Sequence, residues 1–189
     1  MKRITRHSIE QLCFWSRFEM QHHYERIPDM MDGRESVSVR DMAKFDMPLL
    51  HRIELIAQLI TEDEMRAIGA AFVTHALMKH KGWAFPLITK ALKVVEAVQN
   101  DDMTVGQIGP ECAIVQNEGD RLEKQGTGLS CYEAALHHAM ARCLFPVCEL
   151  ADVARFAQTG SCEAGVQEES DEENRWQLRH LVHYLEEQA

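Results

Sequence analysis

The chain has 189 residues, 46% hydrophobic and 26% charged, a composition that excludes disorder over most of its length and leaves enough apolar surface for a core without disulfides or metal. Its net charge of -10, from 20 Lys+Arg against 30 Asp+Glu, repels phosphate backbones and argues against direct nucleic-acid binding. Six cysteines (Cys13, Cys112, Cys131, Cys143, Cys148 and Cys162), no secretory leader after the basic start Met1 to Arg6, and no apolar run long enough for a membrane lead us to expect free thiols in the cytoplasm and no membrane partner.

Helical periodicity dominates from the start. Ser8 and Gln11 read as a capping box opening a helix from Ile9 to Arg26, which ends before Pro28. The polar stretch Asp29 to Glu35, with Gly33 inside, reads as a loop. Val37-Ser38-Val39 alternates for only three residues, so it is expected to be an extended lead-in rather than part of a sheet. A second helix follows over Pro48 to Ile60, with Leu49, Ile53, Ile56 and Ile60 on one face. Thr61 and Glu64 form a second capping box, and the third helix runs from Glu62 to His80. Its small residues Ala67, Gly69, Ala70, Ala71 and Thr74 predict close approach of a neighbouring helix.

The fourth helix covers Pro86 to Gln99, with Leu87, Ala91, Val94, Val95 and Val98 as its stripe, and Thr104 reads as the next N-cap. Ile108, Cys112, Val115, Gly119 and Leu122 predict a fifth helix from near Pro110. After the break at Gly126-Thr127-Gly128, Ser130 and Glu133 read as a third capping box for a helix reaching Phe145. Pro146 marks a kink or a new first turn, and a seventh helix over Val147 to Gln158 is closed by Gly160. Residues 161–174 are rich in acids and read as a linker. A last helix, Glu172 to Glu187, carries the stripe Trp176, Leu178, Leu181, Val182 and Leu185. The expected architecture is an all-α, single-domain bundle of about seven to eight helices. Residues 1–160 form the bundle, 161–174 the acidic linker, and 175–189 a C-terminal helix that either docks on the same domain or is held out for a partner, docking being expected.

Ten histidines invite a metal reading. The adjacent pairs His22–His23 and His137–His138 point about 100° apart on a helix. Glu133 and His137, and likewise His180 and His183, share a face. No His-Glu-x-x-His or paired Glu-x-x-His occurs, so His22, His23, His180 and His183 read as exposed polar positions and His138 as a hydrogen-bonded interior residue. Cys143 and Cys148 straddle Pro146 at a spacing unsuited to zinc and read as small apolar residues. Gly126 to Ser130 is the one stretch resembling a nucleophile turn, and it reads better as a capping loop. We therefore expect no enzyme, no cofactor and no metal. The excess of Met and aromatics over Phe14, Trp15, Phe18, Met20, Tyr24, Met30, Met31, Met42, Phe45 and Met47 reads as one end of the core, or else as an adaptable contact surface.

From Leu87 to Gly160 the chain resembles a bacterial family of immunity proteins of polymorphic toxin systems. The likeness rests on the Ala-rich helix Lys90 to Ala97 with the turn Asp101 to Val105 after it, and on the small-residue helix Glu133 to Ala141 with its histidines. The resemblance implies an α-helical cytosolic protein that binds and neutralises a toxin, and it transfers no functional residue. The expectation is thus a protein-binding inhibitor with a partner that is basic. An acidic nucleic-acid mimic acting against a defence protein is one alternative, and a helical-bundle metal-dependent enzyme using His/Glu ligands is the other. For the partner surface the acid-rich end is expected: Glu168, Glu169, Asp171, Glu172, Glu173, Trp176, His180, His183 and Tyr184, with Trp176 as anchor.

Overall fold

Threonine hydroxyls set where three of the helices begin. Thr61 Oγ1 accepts from the Glu64 amide at 3.3 Å, and the Glu64 carboxylate accepts from the Thr61 amide at 2.6 Å, the reciprocal box expected there. At the other two expected boxes the serine is not the cap. Thr127 Oγ1 accepts from the Ser130 amide at 3.3 Å, and Thr5 Oγ1 accepts from the Ser8 amide at 3.2 Å. Both helices therefore start earlier than the serines suggested, because in Thr-x-x-Ser the upstream hydroxyl satisfies the first-turn amides and the serine falls inside the helix.

The computed structural model describes residues 2–15, 26, 29–80, 84–162 and 167–188, with side chains for all of these except 13–15 and 167–170. Its contacts divide the chain into two compact units, Met1–Ile60 with Leu178–Ala189, and Thr61–Gln177. The expected boundaries, by contrast, lie at residues 160 and 174. The fold is all-α apart from one short ribbon among the described residues. No helix among them is long and apolar enough to cross a membrane.

In the first unit, β1 (Arg3–Thr5) pairs antiparallel with β2 (Ser36–Ser38), placing Ile4 opposite Val37 with both side chains buried. The expected lead-in at residues 37–39 is thus half strand. Its partner lies at the far end of a long connection, and three residues are too few for alternation to declare it. Helices α1 (Arg6–Trp15), α2 (Val39–Met42) and α3 (Leu49–Ala57) enclose a core in which Ile9, Met31, Met42, Ile53 and Ile56 are fully buried. Met31, Met42, Phe45 and Met47 are core residues, as the simpler reading had it. Phe14, Trp15, Phe18, Met20, Tyr24, His22, His23 and Pro28 lie outside the described residues or side chains. The expected loop at 29–35 contains a helical turn at 29–31, closed by Asp32 and Gly33 in the left-handed region.

The second unit contains α4 (Glu62–Met78), α5 (Pro86–Gln99), the 3-10 turn Val105–Gln107, α6 (Gly109–Glu123), α7 (Gly128–Leu144), α8 (Leu150–Ser161) and the first part of α9 (Gln167–Glu187). Helix α7 is its axis, touching α4, α5, α6 and α8. Leu136, Ala139, Met140, Ala141 and Cys143 are inaccessible, and His137 and His138 are buried beside them, so this helix is covered on all sides over residues 134–141. Glycines make that possible. A Cβ at Gly160 of α8 would stand 2.5 Å from Leu136 Cγ, and one at Gly69 of α4 would stand 2.9 Å from Cys143 Sγ. Gly160 therefore serves as a packing surface inside α8, which continues to Ser161, rather than as the expected stop.

The end of α7 poses the hardest problem, because its last carbonyls have no intrahelical partners. Arg66 of α4, only 1% exposed, solves it: its guanidinium donates to Cys143 O at 3.0 Å, Phe145 O at 2.6 Å and Pro146 O at 2.7 Å. One turn earlier on α4, Glu62 accepts the Cys148 amide at 2.9 Å and stands 3.9 Å from the guanidinium. The positive group also sits where the helix dipole is negative. Helix α9 starts at Gln167, so most of the expected linker is helical. Glutamate favours helices, and Glu173 and Gln177 fall four apart on a face that is fully buried.

Removing the guanidinium takes the donor from the buried Cys143 carbonyl and from the carbonyls of Phe145 and Pro146. Arg66→Ala is expected to lower the unfolding free energy by about 3–5 kcal/mol with an unchanged denaturant slope. A urea melt showing a loss below about 1 kcal/mol would refute this assignment.

Candidate functional site

In the second unit, two groups of polar side chains stand out. The first lines a cleft of about 380 Å³ bordered by Glu123, Cys131, His138, Arg155, Phe156 and Thr159. His138 is buried in the wall, with its ring against Phe156 at 5.4 Å between centroids. It fits because position 119 is glycine: a Cβ there would lie 2.8 Å from the ring's Cε1 and 2.9 Å from Nδ1. Gln116 ties the group together, its amide donating to Asp120 Oδ1 at 2.9 Å and to His138 Nδ1 at 3.2 Å. His138 Nε2 then stands 3.5 Å from Glu123 Oε2 and 3.9 Å from Asp120 Oδ1.

The expectation of a hydrogen-bonded interior histidine at 138 is met, but the carboxylates beside it were missed. Gln116, Asp120 and Glu123 recur at four and three residues, which is a polar stripe on one face of α6. Reading only the apolar stripe hid it. The suggested Glu133–His137 pairing takes a different form: His137 is buried and its Nδ1 donates to the Glu133 carbonyl at 2.8 Å, so the backbone and not the carboxylate is its partner. The Gly126 to Ser130 stretch is a capping loop, with Gly126 left-handed at a φ of 65°.

The second group involves the expected partner surface on α9. The Glu168 and Glu169 side chains lie outside those described. Asp171 and Glu172 are exposed, whereas Glu173 is fully buried against α4. Glu173 Oε2 shares a 2.8 Å hydrogen bond with His75 Nδ1, and Lys79 Nζ lies 3.7 Å away. The Gln177 amide donates to Glu173 Oε1 at 3.3 Å and to Ala154 O at 3.1 Å. Trp176 is half-buried, stacked on His75 with ring centroids 3.6 Å apart and meeting Phe72 edge-on at 6.1 Å. Glu173 and Trp176 thus pack α9 onto α4 and do not present a free anchor, because a helix this polar must spend its few large groups on docking. His180, His183 and Tyr184 belong to the other unit, where His183 is exposed and lies 3.2 Å from Glu187.

Cys112, Cys131, Cys143, Cys148 and Cys162 are free thiols, and all but Cys131 are buried. Burial pushes the Cys148 thiol up to about 12 and the Cys143 thiol well above its ordinary range. No family model matches the chain, and no curated protein or solved structure is significantly similar to it.

These environments generate two expectations. Brief alkylation of the native protein, mapped by mass spectrometry, is expected to modify Cys131 and to spare Cys143 and Cys148 until denaturant is added; equal labelling of all three contradicts the burial described. Burial raises the Glu173 carboxyl above its ordinary 4.5, with His75 and Lys79 only partly offsetting it. The folded state therefore holds a proton the unfolded state has lost, a contribution fully present below 4.5 and lost as pH rises through the raised value. Glu173→Gln is expected to gain stability relative to the parent as pH rises across that window. Chemical melts in which the parent gains instead refute the assignment.

Proposed function

We propose that this protein is a non-enzymatic, cytoplasmic binding protein of the inhibitor or immunity type, whose partner is a basic protein. The observation that carries the reading is where the charge lies. Thr61–Gln177 holds nineteen of the 30 acidic residues but only ten of the 20 basic ones, so nearly all of the net charge of -10 belongs to that unit. Asp63, Glu96, Asp101, Asp102, Glu149, Asp171 and Glu172 are exposed on it. A surface of this sign accelerates encounter with a basic partner and rejects acidic ones. The helix texture behind the resemblance to immunity proteins falls inside the same unit. In this unit Asp171 and Glu172 are the expected contact residues on α9 that are exposed, with Arg175 beside them. The contact proposed there therefore depends on local pairing as well as on overall charge.

The test is affinity capture from the native cell at low salt, followed by elution at high salt. The expected result is a basic protein retained in near-stoichiometric amount and released by salt. Asp171→Lys with Glu172→Lys is expected to weaken retention by about tenfold or more while leaving the melting temperature unchanged. Equal retention by the variant removes α9 from the interface, and a neutral or acidic partner insensitive to salt overturns the electrostatic reading.

A further inference from the structure

We infer that Asp120, Glu123 and His138 form a site for a single divalent cation that joins α6 to α7. The three offer donor atoms within 4.8 Å of one another, two from α6 and one from α7. The spacings point to a shared ion rather than to direct bonding. His138 Nε2 is 3.5 Å from Glu123 Oε2 and 3.9 Å from Asp120 Oδ1, beyond the usual 2.7–3.2 Å of an N–H···O bond. Two donors each about 2.1 Å from a common ion at the tetrahedral angle stand roughly 3.4 Å apart.

Three further features fit. The imidazole is itself nine-tenths buried and aimed at the carboxylates, held in the hollow that Gly119 leaves open. Gln116 Oε1 is buried without a hydrogen-bond partner. Half a turn of that carboxamide exchanges its bond to Asp120 Oδ1 for one from Nδ1–H to Oε1, which releases the carboxylate and the Nε2 lone pair for an ion and supplies the outer contact that histidine ligands usually have. The adjoining cleft supplies an entry path and room for water on the remaining positions. Arg155 also borders the cleft, but its guanidinium is engaged with Asp152 at 3.1 Å and lies over the Phe156 ring, which keeps it on the α8 side. One imidazole with two carboxylates suits ions of the zinc, cobalt and manganese class more than calcium, which takes oxygen donors alone. The inference is independent of the binding role proposed above.

Cobalt(II) is a suitable probe, because its visible bands report nitrogen and oxygen ligands while thiolate ligation adds a near-ultraviolet band. Titration of the whole protein is expected to show one Co²⁺ per chain. Glu123→Gln alters a side chain that is 71% exposed, so the fold is spared, and it is expected to weaken binding about tenfold or more. His183→Ala, which removes the exposed histidine beside Glu187, is expected to leave the affinity unchanged. The site is overturned by equal affinity in Glu123→Gln, by loss of affinity in His183→Ala, by a thiolate band that Cys131→Ser abolishes, or by no binding at about 1 mM.

Discussion

The helical unit depends on one guanidinium. The last carbonyls of a helix have no partner within it, and α7 ends against α4, with Cys143 and Leu144 buried. Arg66 answers three carbonyls around that terminus at once. Its placement follows from Thr61, which fixes the first turn of α4 and so the register in which Glu62 and Arg66 face the same way, four residues apart. Glu62 then holds the amide of Cys148, just ahead of the start of α8. Cap, charge pair, helix end and next helix start form one connected arrangement. The burial that demands the arginine also suppresses the thiols of Cys143 and Cys148, which leaves them inert to chemistry in the folded protein.

Much of this was legible beforehand. Apolar spacing located α3 to α7 to within a few residues, and the Thr61 box was read correctly, because capping and periodicity are local signals. The small residues of the third helix announced close packing, and Gly69 against Cys143 is where it occurs. The errors were of two kinds. Thr5 and Thr127 lost the cap to serines in the reading, since a Thr-x-x-Ser stretch offers two hydroxyls and only the three-dimensional start of the helix chooses between them. The β1–β2 ribbon and the buried position of Glu173 were invisible because each is decided by a partner far away in sequence, Ile4 for Val37 and His75 for Glu173.

The candidate site was legible only in part. His138 was placed in the interior correctly, but its neighbours Asp120 and Glu123 looked like ordinary solvated acids on α6. What distinguishes them is Gly119, whose missing side chain admits the imidazole from α7. A sequence shows a glycine in a helix as a weakness, not as a receptacle. Likewise, an acid-rich run from 161 to 174 reads as a solvated tether until one of its carboxylates is found inside, joined to a histidine and a glutamine that compensate for its burial. The balance of the run still leaves the unit with most of the molecule's charge, the property on which the proposed binding role rests.

The first unit is discontinuous, closed by Leu181 and Leu185 near the end of the chain. That sets a schedule during synthesis. At roughly 5–20 residues per second, the interval between translation of Ile60 and of Leu178 is on the order of 6 to 24 seconds. For that interval Ile9, Met31, Met42, Ile53 and Ile56 have no access to the leucines that complete their core. Thr61–Gln177, by contrast, is continuous and has every partner for α7 once Gln177 has emerged. The acidic helical unit therefore needs no residue beyond Gln177 to complete its core, whereas the amino-terminal segment must wait for Leu181 and Leu185, with its apolar surface exposed to chaperones or to neighbouring nascent chains.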